Sequence, residues 1–90
     1  MKQLIKTTKK WNVYVDEKGV KHFENKNWVI TCGEYGYGRV LISGDTHGEL
    51  ATIYSPKRLG FEFPERVPQY VKEACYQVVK SVYDAGLLER

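Results

Sequence analysis

Histidine, cysteine and long apolar runs are all scarce in this chain, and each scarcity removes a class of function. Two histidines, His22 and His47, and two cysteines, Cys32 and Cys75, occur in ninety residues. There is no CxxC, and neither cysteine has a histidine at metal-ligand spacing, so a zinc or dithiol site is excluded. No stretch approaches the ~20 apolar residues of a membrane span. The opening "MKQLIKTTKK" lacks the apolar core of a secretory signal. A cytoplasmic, reducing setting is therefore expected, with both cysteines free and buried as small apolar side chains. No Ser-His-Asp set, P-loop, GxGxxG or close carboxylate pair appears, so the chain is read as a non-enzyme with no cofactor and no metal.

Charge of one sign is also in modest supply. The formal net charge is +3, with 28% charged residues. That is mild for a nucleic-acid-binding domain, which gathers a larger excess on one face. The excess is uneven, because Lys2, Lys6, Lys9 and Lys10 all precede the first acid, Asp16. Residues 1–10 read as a basic N-terminal arm that is either mobile or adds a short edge strand through Leu4 and Ile5. Residues 11–90 read as a single α+β domain, since the length suits one domain and no linker or repeat divides it.

What is present is a strand grammar followed by a helix grammar. "WNVYV" alternates with Trp11, Val13 and Val15 on one face and Asn12 and Tyr14 on the other. "DEKG" supplies a tight turn with Gly19 at positive φ. "VKHFE", "WVITC", "RVLIS" and "LATIY" follow as further strands, separated by "NKN", "GEYGYG" and "GDTHGE". Short loops make neighbours antiparallel. Ser55 and Pro56 can open one helical turn in "SPKRLG", and Phe61 and Phe63 then lie on an extended segment facing the core. From Pro68, expected in the first helical turn, Val71, Ala74, Cys75, Val78, Val79 and Val82 form an apolar stripe. Gly86 is placed to end that helix at C′, with Leu87 folding back. The expected fold is an antiparallel β-meander of about five strands with one C-terminal α-helix packed across one face. Trp11 and Trp28 are expected in the core and His22 on an exposed strand position or beside a Tyr or Glu.

Two stretches resemble known families. Gly44-Asp45-x-His47-Gly48, preceded by Val40, Leu41 and Ile42, resembles the start of the metal site of calcineurin-like metallophosphoesterases. The resemblance implies a metal on Asp45 and His47 at the end of a strand, followed by a helix. The family's remaining ligands have no counterpart, since no Asn or His follows Gly48. A two-metal centre needs many more ligands than these two. The reading preferred is a hairpin tip, in which Gly44 and Gly48 permit positive φ and Asp45 can make an Asx-turn; a metallophosphoesterase fragment stays as an alternative. Tyr37-Gly38 resembles the aromatic-glycine strand of RNA-recognition motifs, with Arg39 where a stacking aromatic belongs.

The function expected from these residues is docking on another protein, modulating or inhibiting it, and the size and style suit a phage or mobile-element accessory protein such as a host-defence antagonist. Tyr35, Tyr37, Arg39, Lys57 and Arg58 are the expected contacts, because aromatics on a glycine-rich frame give large contact area at low entropy cost. The alternative is a small RNA- or DNA-binding module using Lys2, Lys6, Lys9, Lys10, Lys57 and Arg58. A monomer, or a homodimer through an open sheet face, fits either reading.

Overall fold

The computed structural model describes residues 2–34, 39–44, 48–55, 60–63 and 67–87, with side chains at all of these except 33, 34, 39, 48–51, 53 and 55. Among the described residues seven strands run in chain order: β1 (Gln3–Thr7), β2 (Asn12–Val15), β3 (Lys21–Glu24), β4 (Trp28–Glu34), β5 (Arg39–Gly44), β6 (Gly48–Ser55) and β7 (Gly60–Glu62). One helix, α1 (Gln69–Asp84), follows. Each strand pairs antiparallel with the next, so sheet order equals sequence order. This is the α+β meander with a C-terminal helix that the residue pattern predicts. It is extended at its two ends by β1, inside the basic stretch, and β7, inside "LGFEF".

Local chemistry makes the turns. Asp16 Oδ1 accepts from the N–H groups of Lys18 (2.9 Å) and Val20 (3.1 Å), and Gly19 has φ 89°, so the β2–β3 hairpin closes tightly. At the β3–β4 hairpin Asn25 Oδ1 accepts from Asn27 N–H (2.8 Å) and Trp28 N–H (2.7 Å). β5 and β6 pair up to Gly44↔Gly48, so the chain after Gly48 is a strand, not the helix of a metallophosphoesterase. Asp45 and His47 lie outside the described residues. Gly44 does not take the positive φ that a glycine permits. It sits in extended backbone, and a Cβ there would lie 2.7 Å from the Asn27 carbonyl oxygen. Close approach of two backbones is what excludes a side chain.

The helix begins one residue later than expected, with Pro68 as N-cap (φ −63°, ψ 155°). Its end is a Schellman motif. Leu87 N–H donates to the Val82 carbonyl (3.1 Å), Gly86 N–H to that of Tyr83 (2.9 Å), and Gly86 has φ 73°. All six residues of the predicted stripe are buried, and Ser81 is buried with them. They meet Val13, Phe23, Ile30, Cys32, Val40, Ile42 and Tyr54 from one sheet face, with both tryptophans in the same core. Phe61 and Phe63 pack on the core's flank, 5.0 Å apart between ring centres. Tyr14, His22 and Thr31 belong to the opposite face, while Phe23 faces α1 with Val13.

Candidate functional site

A groove of about 560 Å³ opens between β1, the β1–β2 turn and the N-terminal half of α1. Thr8 shapes the turn: its hydroxyl accepts from Trp11 N–H (3.0 Å) and Lys10 N–H (3.3 Å), and its own N–H donates to the Trp11 carbonyl (2.7 Å). That fold drives Trp11 inward and leaves Lys9 and Lys10 at the rim. Trp11 forms the floor with Phe23, edge-on at 5.7 Å, and with Tyr70, tilted at 5.5 Å. Lys10 Nζ stands 4.8 Å over the Tyr70 ring. Lys6 reaches the groove because the strand register shifts between Leu4 and Lys6, which places Lys6 across from Val13 on the helix side.

The groove is cationic. Among the described residues Lys6, Lys9, Lys10 and Lys21 line it against one carboxylate, Glu73. Among the described residues none of these four ammonium groups is ion-paired. Four like charges around a partly apolar concavity favour an anionic ligand, and the surrounding low-dielectric wall strengthens that field. The floor is not open to stacking: Trp11 is only 8% exposed and its ring is engaged by Phe23 and Tyr70.

The residues expected to form sites are divided by the structure. Lys6, Lys9 and Lys10 come together in the groove. Lys2 does not join them. It pairs with Glu24 and lies 5.0 Å over the Tyr14 ring, on the face away from α1. Arg39 has its backbone in β5, paired with Ile53, but its side chain lies outside the description, as do Tyr35, Tyr37, Lys57 and Arg58. Lys21, Trp11 and Tyr70 are groove residues that the sequence reading did not assign to a site. Their partial signal is the alternation that puts Lys21 on the same face as Phe23; the docking of α1 brings Tyr70 to them.

His22 corrects an expectation. It is buried, at 8% exposure, not an exposed strand residue. Its partners are an acid and a hydroxyl: Nε2 lies 3.0 Å from Asp16 Oδ2 and Nδ1 2.7 Å from Thr31 Oγ1. A carboxylate only accepts, so Nε2 donates to Asp16, and a neutral ring then accepts the Thr31 hydroxyl at Nδ1. Carboxylate, imidazole and hydroxyl in line are also the parts of a nucleophilic relay. Here both ring nitrogens are consumed within the sheet, and the groove lies on the other face. The arrangement braces the β2–β3 turn against β4.

Two further groups of the interior, Cys75 and Tyr54, are held in their protonated form. Burial pushes the Cys75 thiol up to about 12. Burial, helped by the hydrogen bond to Tyr83, does the same to the Tyr54 phenol, also to about 12. Both cysteines are buried thiols.

Comparison of the chain with protein-family models, curated proteins and solved structures finds no match. Among the described residues no helix is long and apolar enough to cross a membrane.

Proposed function

We propose that this chain is a small non-enzymatic docking protein that receives an acidic segment of another protein in the lysine-rimmed groove. The observation that carries the reading is the gathering of Lys6, Lys9, Lys10 and Lys21 around one concavity, with Glu73 the one acid among the described residues that line it. A peptide is favoured over nucleic acid by the floor. Single-stranded nucleic acids gain much of their affinity by stacking bases on open aromatic faces, and the Trp11 ring is buried and already engaged by Phe23 and Tyr70. Exposed aliphatic surface at Ile5, 54% accessible beside the groove, suits a segment that mixes carboxylates with apolar side chains.

The test is zero-length carbodiimide crosslinking in native extract, with and without nuclease, read by mass spectrometry. This chemistry joins a lysine amine only to a carboxylate in contact with it. Crosslinks from Lys6, Lys9, Lys10 or Lys21 to a Glu/Asp-rich stretch of one protein are expected. They should survive nuclease and vanish with the Lys6→Glu/Lys10→Glu double variant. Loss of the partner on nuclease treatment, or its retention by the double variant, overturns the reading. In purified components phosphate-driven binding would show a steep salt slope from counterion release.

A further inference from the structure

We infer that the partner's segment docks as an added β-strand on the free edge of β1, with its carboxylates on the groove side. The inference rests on the docking reading above and specifies its geometry.

β1 is the outermost strand of the sheet, and all five of its side chains are exposed. Such an edge presents backbone N–H and C=O groups able to template another strand. Leu4 and Ile5 are 55% and 54% accessible, and with Tyr76 they are the large exposed apolar side chains among the described residues. The two sides of β1 differ chemically. Leu4 lies across from Tyr14, on the face away from α1, and Lys6 lies across from Val13, on the groove face. Successive side chains of an added strand point to opposite faces of the sheet. A segment alternating acidic and apolar residues therefore sets carboxylates against Lys6 and its neighbouring lysines and apolar groups beside Leu4.

The same chemistry argues against a second copy as the occupant. Residues 2–10 contain four lysines and no acid. Pairing this edge with itself places like charges side by side, which destabilises a strand pair. The opposite edge, β7, is only three residues long, too short to serve as a matching template.

The experiment uses the full chain and three capped hexapeptides alternating glutamate and valine. One is unmodified, and two are N-methylated at alternate residues, on complementary sets of amides. An added strand turns one set of its N–H groups toward the template and the other toward solvent. The unmodified peptide is expected to bind, and the Lys6→Glu/Lys10→Glu variant to bind it at least tenfold more weakly. One methylated peptide should lose at least tenfold in affinity while the other stays within about twofold. Hydrogen exchange of the β1 amides should slow on binding. Equal binding of all three peptides, still abolished by the charge reversal, overturns strand addition but leaves the acidic-docking reading standing. No binding of any peptide, with or without binding of an oligothymidylate, overturns both. Self-association without peptide that protects the β1 amides assigns the edge to a second copy and also overturns the inference.

Discussion

Ser81 on α1 and Lys21 on β3, sixty residues apart, are joined by a hydrogen bond of 2.9 Å from the Lys21 backbone N–H to the Ser81 hydroxyl. The hydroxyl donates in turn to the Val78 carbonyl at 2.6 Å. This clamp holds the helix against the strand that carries one of the groove's lysines. Ser81→Ala leaves a part-buried N–H without its partner, and the expected loss is about 1–3 kcal/mol. Urea unfolding checks it, with the m-value expected to stay unchanged.

Thr52 gives the opposite sign. It is fully buried on the helix-facing side of β6, and among the described residues its hydroxyl has no hydrogen-bond partner. A buried hydroxyl left unmatched costs stability that an apolar group of the same shape does not. Thr52→Val should stabilise the domain by ~1 kcal/mol, measured as a higher urea midpoint.

Gly44→Ala should destabilise by about 1–3 kcal/mol, the range for forcing extra volume into a packed site. The added methyl group would meet the Asn27 carbonyl at 2.7 Å, and Asn27 belongs to a turn held by Asn25 Oδ1. Thermal unfolding of the alanine variant tests this; an unchanged midpoint would show that the β3–β4 turn gives way freely.

Alkaline pH should unfold the protein through Cys75 and Tyr54. Both are uncharged when protonated, and burial raises them from 9.0 and 10.0, respectively, to about 12. Between those limits the folded chain keeps protons that the unfolded chain has lost. The stability they contribute is complete below about pH 9 and is lost as pH rises toward 12. Denaturation curves from pH 8 to 11 should show this fall, and in Cys75→Ala its onset should move up toward pH 10.

Removing residues 1–7 should leave a folded domain. Every side chain of β1 is exposed, and the Lys2–Glu24 pair lies at the surface, where such pairs are worth ~0–1 kcal/mol. Thr8, which shapes the turn into Trp11, is retained. The expected cost is below ~2 kcal/mol, with dispersed amide resonances preserved. The same truncation should abolish binding of the acidic hexapeptide, because it deletes the template edge and Lys6 together.

Residue periodicity alone determined the meander, the single helix and the buried stripe from Val71 to Val82. Alternation and i, i+3, i+4 spacing are local consequences of strand and helix geometry, so they are readable without knowing what packs where. Gly19 and Gly86 were legible for the same reason: both hold positive φ at the ends of elements whose boundaries the pattern marks. The sites were not local. Asp16 and Thr31 bury His22 only because β2, β3 and β4 align in one register. Gly44 is required by a backbone that approaches from the next hairpin, not by its own φ. Lys6, Lys9, Lys10, Lys21 and Tyr70 become one groove only when α1 lies across the sheet. A basic arm was visible in the order of residues. Which of its lysines share a concavity, and that Lys2 is turned to the other face, depended on a register shift in one edge strand and on the docking of a helix far along the chain, long-range packing that the local residue pattern does not encode.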